Sequence, residues 1–538
     1  MRRLYSPQLI LLALFLLAAL IAFSPNLHSY FLSDDFVQIG KVLHGDYSIA
    51  WGREHGGFFR PLFIWSYVID SCVWGANSFG YHLTNIILHG LNAFLVFNLA
   101  RKLLEPLKLE SRKLRIAAIS AGALFLLHPS HAEAVVWISG RADLLATLFV
   151  LLSVLTFLGY EGSHRKYYLA ASLGLFAIAL LAKESAICTP LIILLIALFR
   201  HEQVGRALRA FAMFAAILIV FIGIRARVLG SLVGGYGTEQ HLNFSPGWLR
   251  DRLLEAIVRS GLPPLPHDAF SFLFRPLQSP LFYLIACAFM VAGAGALVLR
   301  RRFYDTADRR LQNRFILMLV GLFLVALLPV INLRLYLYQT LGERFLYLPT
   351  VCACLLFAYV AMLLIRNATV LLICIAILLG FYSWSVYRTN LIWRDAANLS
   401  ATLSAQLADR ASSAPLVLLN VPDNLRGVPV FHNGLDEAVN WRHADRTLNE
   451  IQVVAFQDLQ SATDENRIEG DDELTVRAVN PVDQFARVTS RPCVEVLGSE
   501  REVLKIQLRP CVPAAETLLY SSGTFNLLDV HARPQRPQ

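Results

Sequence analysis

Two adjacent carboxylates, Asp34 and Asp35, stand in the stretch Phe31-Leu32-Ser33-Asp34-Asp35-Phe36, ten residues beyond the apolar run 8–24. A carboxylate beside a membrane can take a proton from a hydroxyl. Further along the chain come cations that suit a phosphate: Arg60 in Phe58-Phe59-Arg60-Pro61-Leu62, Arg141 in Gly140-Arg141-Ala142-Asp143, Lys183 before Glu184, and Arg344 after Glu343. His131 and Glu133 lie in His128-Pro129-Ser130-His131-Ala132-Glu133. Charges at the edge of hydrocarbon are costly, so they are candidates for function. A carboxylate to handle a proton and cations to hold a departing phosphate form one chemical set, that needed for catalysis on an anionic lipid.

Each member also has a plainer role open to it. Ser33 and Asp34 are helix-capping residue types and fit the start of a short helix near Phe36. Arg141 with Asp143, Lys183 with Glu184, and Glu343 with Arg344 fit structural ion pairs at helix ends. His128 before Pro129 fits a helix terminus. His82 and His89 share one helical face and suit packing or headgroup contact. What favours chemistry is the gathering of these clusters on one side of a membrane, and that depends on the elements carrying them.

Of the 538 residues, 56% are hydrophobic and 16% charged, and the mean hydropathy is +0.52. A soluble domain cannot bury that much apolar surface, so the chain reads as a polytopic α-helical membrane protein. Eleven spans are expected, at 8–24, 81–104, 115–131, 141–160, 167–182, 185–199, 210–225, 281–299, 315–331, 345–365 and 368–387. The run Leu9–Phe23 follows Arg2 and Arg3 like a signal peptide, but no convincing small-residue cleavage pattern follows, so it reads as a retained span. Loops rich in Lys and Arg, among them Arg101–Arg115, Arg165-Lys166, Arg200–Arg209 and Arg300–Arg314, alternate onto one side, which marks the cytoplasm. The acidic pair, the candidate cations, the loops 25–80 and 226–280 and the tail then face the opposite compartment.

Residues 1–387 carry 33 Lys and Arg against 19 Asp and Glu, whereas 388–538 carry 15 against 20. The basic excess belongs to membrane loops and is no sign of nucleic acid. Two domains are expected: a transmembrane domain over 1–387 and an extracytoplasmic domain over 388–538. Within loop one, Phe36–Leu43 and Phe63–Val73 look amphipathic, like helices lying in the interface. The tail is polar and carries β-type runs at 415–419, 452–456, 473–476 and 503–508. Turn residues separate them at Pro422-Asp423, Asn433-Gly434 and Glu469-Gly470-Asp471, so a small β-rich domain is expected. Cys493 and Cys511 have a spacing that a disulfide could close in an oxidising compartment; two free buried thiols are the alternative. The last six residues read as disordered.

The ordered motifs resemble the membrane O-mannosyltransferases that bear tetratricopeptide repeats. These are Ser33-Asp34-Asp35, Phe59-Arg60-Pro61-Leu62, Gly80-Tyr81-His82-Leu83-Thr84-Asn85 with Leu88-His89, His128-Pro129-Ser130-His131-Ala132-Glu133-Ala134-Val135, Gly140-Arg141-Ala142-Asp143-Leu144-Leu145, Lys183-Glu184, and Glu343-Arg344-Phe345-Leu346-Tyr347-Leu348-Pro349. They extend over residues 30–350. The resemblance implies a C-type glycosyltransferase fold, a polyprenyl- or dolichyl-phosphate sugar as donor, and an acidic motif in the first loop. It implies inverting transfer of mannose or another hexose to a protein or glycan hydroxyl, with Asp34 or Asp35 as base and Arg60, Arg141, Lys183 and Arg344 on the phosphate. His131, Glu133, Asp143, Glu184 and Glu343 would support them. Some proteins of this fold use a divalent cation such as Mg or Mn, and Asp35, His131 and Glu133 could supply its ligands. The repeats are absent and a β-rich tail replaces them, so acceptor recognition is expected to differ, and a bacterial envelope is the expected setting, with the active face in the periplasm. A polytopic transporter or flippase of lipid-linked sugars is the rival; it should show duplicated halves or matching broken helices, and the sequence shows neither.

Overall fold

The computed structural model describes residues 7–52, 57–200, 204–231, 235, 243–264, 306–337, 339–441, 449–470, 473–509 and 515–528. These fall into two compact units. The first comprises 1–24, 47–70 and 80–389, and the second 25–46, 71–79 and 390–538. The acidic stretch of loop one thus clusters with the tail.

The helices lying wholly or mainly in the first unit are α1 (Pro7–Phe23), α3 (Pro61–Trp74), α4 (Ser78–Leu104), α5 (Ser111–Leu126), α6 (Ala132–Val136), α7 (Arg141–Ser163), α8 (Lys166–Ala182), α9 (Thr189–Arg200), α10 (Val204–Leu229), α11 (Pro246–Arg259), α12 (Thr306–Leu327) and α13 (Tyr347–Leu364). The second unit holds α2 (Asp34–Leu43) and α15 (Leu435–Asn440), and α14 (Ala368–Ala411) runs through the boundary at Thr389/Asn390. Among the described residues, seven helices are long and apolar enough to cross a membrane: Pro7–Asn26, Ser78–Leu107, Ile138–Ser163, Val204–Leu229, Arg309–Val330, Glu343–Leu364 and Ala368–Ala411. The expected spans 167–182, 115–131 and 185–199 correspond to the shorter helices α8, α5 and α9, and the expected span 281–299 lies outside the described residues. Helix α14 has 44 residues, or about 66 Å at 1.5 Å per residue, twice the roughly 30 Å of bilayer hydrocarbon. One continuous helix therefore serves both as a span and as the lead-in to the tail.

Helix ends follow local chemistry. Thr189 and Pro190 open α9, where the Thr189 hydroxyl donates to the Ala186 carbonyl at 2.7 Å and proline loses nothing at a first turn. Between helices, small residues let backbones meet, as expected without a hydrophobic drive in lipid. Ser153 of α7 and Ser172 of α8 each donate to the other's carbonyl, at 2.8 and 2.7 Å. A Cβ on Gly122 would stand 2.9 Å from the Ala93 carbonyl of α4, so only glycine fits there. The two runs expected as interfacial helices are indeed helical, at α2 and α3. Helix α3 exposes Ile69 and Val73, whereas α2 is buried over most of its length; protein, not lipid, covers it.

In the second unit the chain builds two sheets. The first has the order β10 (Thr524–Leu527), β9 (Glu516–Ser521), β1 (Leu416–Leu425), β3 (Ile451–Leu459), β6 (Gln484–Ala486), with β2 (Val428–Pro429) pairing β1. The second has the order β4 (Asn466–Glu469), β5 (Glu473–Ala478), β8 (Val503–Leu508), β7 (Val494–Ser499). The four β-type runs of the sequence all lie in strands. Strand β5 alternates buried Leu474, Val476 and Ala478 with outward Glu473 and Arg477, the period of a half-buried strand. Strand β1 runs parallel to both β3 and β9 and is buried along nearly all its length, hence its continuous apolar sequence. The turn expected at Pro422-Asp423 does not form. Those residues lie inside β1, where a bulge absorbs the proline between Pro422 and Asn424, and the chain reverses at Arg426-Gly427, both at positive φ. Asn433-Gly434 does fall between strands, with Gly434 at φ +77° just ahead of α15, and Gly470 has φ +100°, while Asp471 lies outside the described residues. Cys493 is disulfide-bonded; Cys511, its expected partner, and the last six residues also lie outside them.

Candidate active site

The acidic stretch is held by backbone first. Ser33 has φ 48° and ψ −116°, a region that disfavours any side chain and persists only where surroundings impose it. Three hydrogen bonds impose it. The Ser33 amide donates to the Val430 carbonyl (3.0 Å), its own carbonyl accepts from the Phe36 amide (3.1 Å), and its hydroxyl accepts from the Asn433 amide (3.1 Å). Helix α2 therefore starts at Asp34, two residues earlier than expected, and Ser33 places no side-chain cap on it. The tail approaches closely at Gly434, φ +77°, where a Cβ would stand 2.7 Å from the Ser33 carbonyl oxygen and 3.1 Å from Val37 Cγ2. The Trp441 ring lies 4.8 Å from that of Phe31 and 5.8 Å from that of Phe36.

This frame gives the two carboxylates different surroundings. Asp35 is 1% exposed, and its Oδ2 accepts from the Leu32 amide at 3.1 Å, tying the strained turn to the helix. Asp34 is partly open to solvent, and its Oδ1 accepts from the Asn433 side-chain amide at 2.7 Å. Asp35 is thus closed in and tied to the turn, whereas Asp34 keeps a partly open carboxylate.

In the first unit, every candidate cation has a carboxylate partner, though not the neighbour that the sequence suggests. Arg60 donates from Nε and Nη2 to Glu184 Oε2 at 3.0 and 2.9 Å, with Arg225 4.0 Å from Oε1. Lys183 Nζ donates to Asp143 Oδ2 at 2.5 Å. Arg344 pairs with Glu133, whose carboxylate also accepts the Arg344 and Gly342 amides at 2.8 and 3.3 Å. Glu343 instead pairs with buried Arg259 of α11. Arg141 is 0% exposed; it lies 2.6 Å from Asp70 Oδ2 and donates to Asn85 Oδ1 at 2.8 Å and to the Tyr81 carbonyl at 2.9 Å. The pairings Arg141–Asp143, Lys183–Glu184 and Glu343–Arg344 are thus replaced by pairings between elements. Residues one or two apart on a helix face different ways, so the partner comes from a neighbouring element. Asp70, Arg225 and Arg259 escaped the sequence reading; the signal for Asp70 was its standing as the one charge in the apolar run of α3.

Three of the histidines make hydrogen bonds within the first unit. His89 bonds the Tyr347 hydroxyl through Nδ1 (2.7 Å) and the Leu126 carbonyl through Nε2 (2.9 Å). His128 accepts from the Ser130 amide and lies 3.0 Å from the Ser260 carbonyl, and His131 meets Thr350 Oγ1 at 2.8 Å. Among the described residues no three His, Cys, Asp or Glu side chains gather in a way that could hold a metal ion. Of the residues named as possible ligands, Glu133 spends its oxygens on Arg344 and two amides.

A stretch of 155 residues is 35% identical to Protein O-mannosyl-transferase Tmtc1 of Drosophila melanogaster, covering 28% of this chain and 17% of that protein. Over 171 residues the chain is 33% identical to Protein O-mannosyl-transferase TMTC4 of Mus musculus, covering 28% of this chain and 22% of that protein. The likeness anticipated from the motifs is therefore found, over a stretch shorter than 30–350, and the chain spans about a fifth of the length of these curated relatives. No family model matches the chain. Among solved structures, ArnT from Cupriavidus metallidurans in the apo state is 13% identical, with a TM-score of 0.42 over 81% of this chain and 89% of that one. Arabinofuranosyltransferase AftD from Mycobacteria is 12% identical, with a TM-score of 0.44 over 94% of this chain and 40% of that one.

Proposed function

We propose that the chain is an integral-membrane glycosyltransferase of the C-type fold that moves mannose or another hexose from a polyprenyl-phosphate carrier to a protein or glycan hydroxyl. The curated relatives are named as O-mannosyltransferases, and that supports mannose. The single observation that carries the mechanism is the division of labour in the acidic pair, with Asp35 closed off and Asp34 accessible and oriented.

Asp34 accepts the proton of the acceptor hydroxyl. That oxygen attacks the anomeric carbon as the bond from carbon to phosphate oxygen breaks, and the phosphate departs with the electron pair, which inverts the centre. Cations offset the growing charge on the phosphate. Arg60, Lys183 and Arg344 serve here, each partly compensated by a carboxylate that also fixes its direction. Arg141 differs: it is enclosed and its donors are occupied, so it frames the site rather than touching the lipid. The active face is the extracytoplasmic one, which fits the charge bias of the loops, and the setting is a bacterial inner membrane with the tail in the periplasm.

The test is transfer from polyprenyl-phosphate mannose to a serine- and threonine-rich peptide by purified protein, with mass spectrometry of the lipid that co-purifies. Asp34→Asn keeps the donor bound and lowers turnover by about 100-fold or more, the usual reach of a lost general base. An Asp34→Asn enzyme turning over at the parent rate overturns the assignment.

A further inference from the structure

Asn433 lies 399 positions after Asp34 in the chain, yet it contacts the acidic stretch twice. Its backbone amide donates to the Ser33 hydroxyl at 3.1 Å, and its side-chain amide donates to Asp34 Oδ1 at 2.7 Å. Val430, three residues earlier, takes the Ser33 amide at 3.0 Å. Gly434, the next residue, permits the approach only because it lacks a Cβ. The stretch 430–441 therefore meets the acidic turn at Val430, Asn433 and Gly434 and ends with Trp441 against Phe31 and Phe36.

We infer that Asn433 is a positioning residue for the transfer reaction, and that the tail completes the acidic site by orienting the Asp34 carboxylate. This rests on the proposed role of Asp34 as base. A carboxylate on an open side chain has rotamer freedom, and a proton acceptor works only when its lone pair meets the hydroxyl in line. A primary amide is a neutral donor that fixes one oxygen and leaves the other to receive the proton. A lysine or arginine there would compete for the carboxylate and weaken it as a base; asparagine directs it without supplying a charge. Ser33 contributes the second half of the device, since its strained backbone is held by the same segment.

The experiment uses the full chain in detergent, with polyprenyl-phosphate mannose and a serine- and threonine-rich peptide. Asn433→Ala is expected to lower kcat at least tenfold while KM for the donor changes less than twofold. Asn433→Asp, the same shape with the polarity reversed, lowers kcat at least as far. Asn433→Gln, which keeps the amide, recovers part of the loss. Should Asn433→Ala fail to fold, the comparison of Asp with Gln at the position decides. A kcat unchanged in the folded Ala variant, or equal in the Asp and Gln variants, overturns the inference. A double-mutant cycle of Asn433→Ala with Asp34→Asn, read by thermal stability, tests the contact apart from catalysis, and additive shifts there also overturn it. Full turnover by Asp34→Asn alone instead brings down the base assignment, so the two failures are distinguishable.

Discussion

Arg141→Ala should unfold or severely destabilise the first unit rather than merely weaken donor binding. The guanidinium is wholly buried and 2.6 Å from Asp70 Oδ2. Asp70 is itself buried, and its Oδ1 accepts from the Thr84 hydroxyl at 2.9 Å. Removing one partner of a buried pair typically costs about 3–5 kcal/mol, because the surviving charge stays in low dielectric. The Asn85 Oδ1 and Tyr81 carbonyl acceptors, at 2.8 and 2.9 Å, also lose a donor, each orphan costing about 1–3 kcal/mol, though these terms overlap. At roughly 2 °C per kcal/mol for a large domain, the cost of the broken pair alone means a fall in Tm of about 6–10 °C. The assay is thermal unfolding in detergent followed by size-exclusion chromatography, with Arg141→Lys and the double variant Arg141→Met/Asp70→Leu alongside. The double variant should regain most of the stability, since no buried charge is left alone. An Arg141→Ala protein with unchanged Tm and weakened donor affinity would refute the structural role and return Arg141 to the phosphate.

Arg60→Ala and Arg344→Ala, at positions less enclosed than Arg141, should leave the protein folded and weaken polyprenyl-phosphate mannose binding roughly tenfold to a hundredfold, the worth of a lost charge-assisted contact; calorimetric titration checks this. A reporter active only outside the cytoplasm should be active when fused after Gln538 and silent when fused after Arg200; the reverse pattern would place the acidic pair on the wrong side. Asp483 in the tail is fully buried, and its Oδ1 accepts from the Gln460 amide. Burial and the nearby Asp464 carboxylate push its carboxyl up to about 8. The folded tail thus keeps a proton that the unfolded chain sheds near pH 4, so its stability is greatest in acid and falls as pH rises through that window, by on the order of 1–4 kcal/mol between pH 5 and 8. Unfolding curves at the two pH values should show this, and Asp483→Asn should flatten the difference.

The sequence by itself determined the elements. The apolar runs marked the helices within the described residues, seven of them long and apolar enough to cross a membrane, because hydrocarbon admits only backbone that satisfies its own hydrogen bonds. The alternating residues of β5 and the continuous run of β1 fixed the strands. The acidic pair was legible as a candidate, since charges beside a span are costly. The motifs around Arg60, Lys183 and Arg344 were legible as charge clusters too, but not as partnerships. Only the tertiary structure decided which carboxylate meets which cation, because a side-chain pair depends on the direction of each residue around its helix and on the neighbour facing it. Asp70 to Arg141 and Glu184 to Arg60 cross 71 and 124 positions. It also decided that Asp35 is closed and Asp34 open, a difference that two identical side chains cannot show in a sequence. The part played by Asn433 was hidden most deeply. Its contact with Asp34 exists only once a β-domain far along the chain has folded back onto the first loop, and no local pattern encodes a meeting between residues 399 apart.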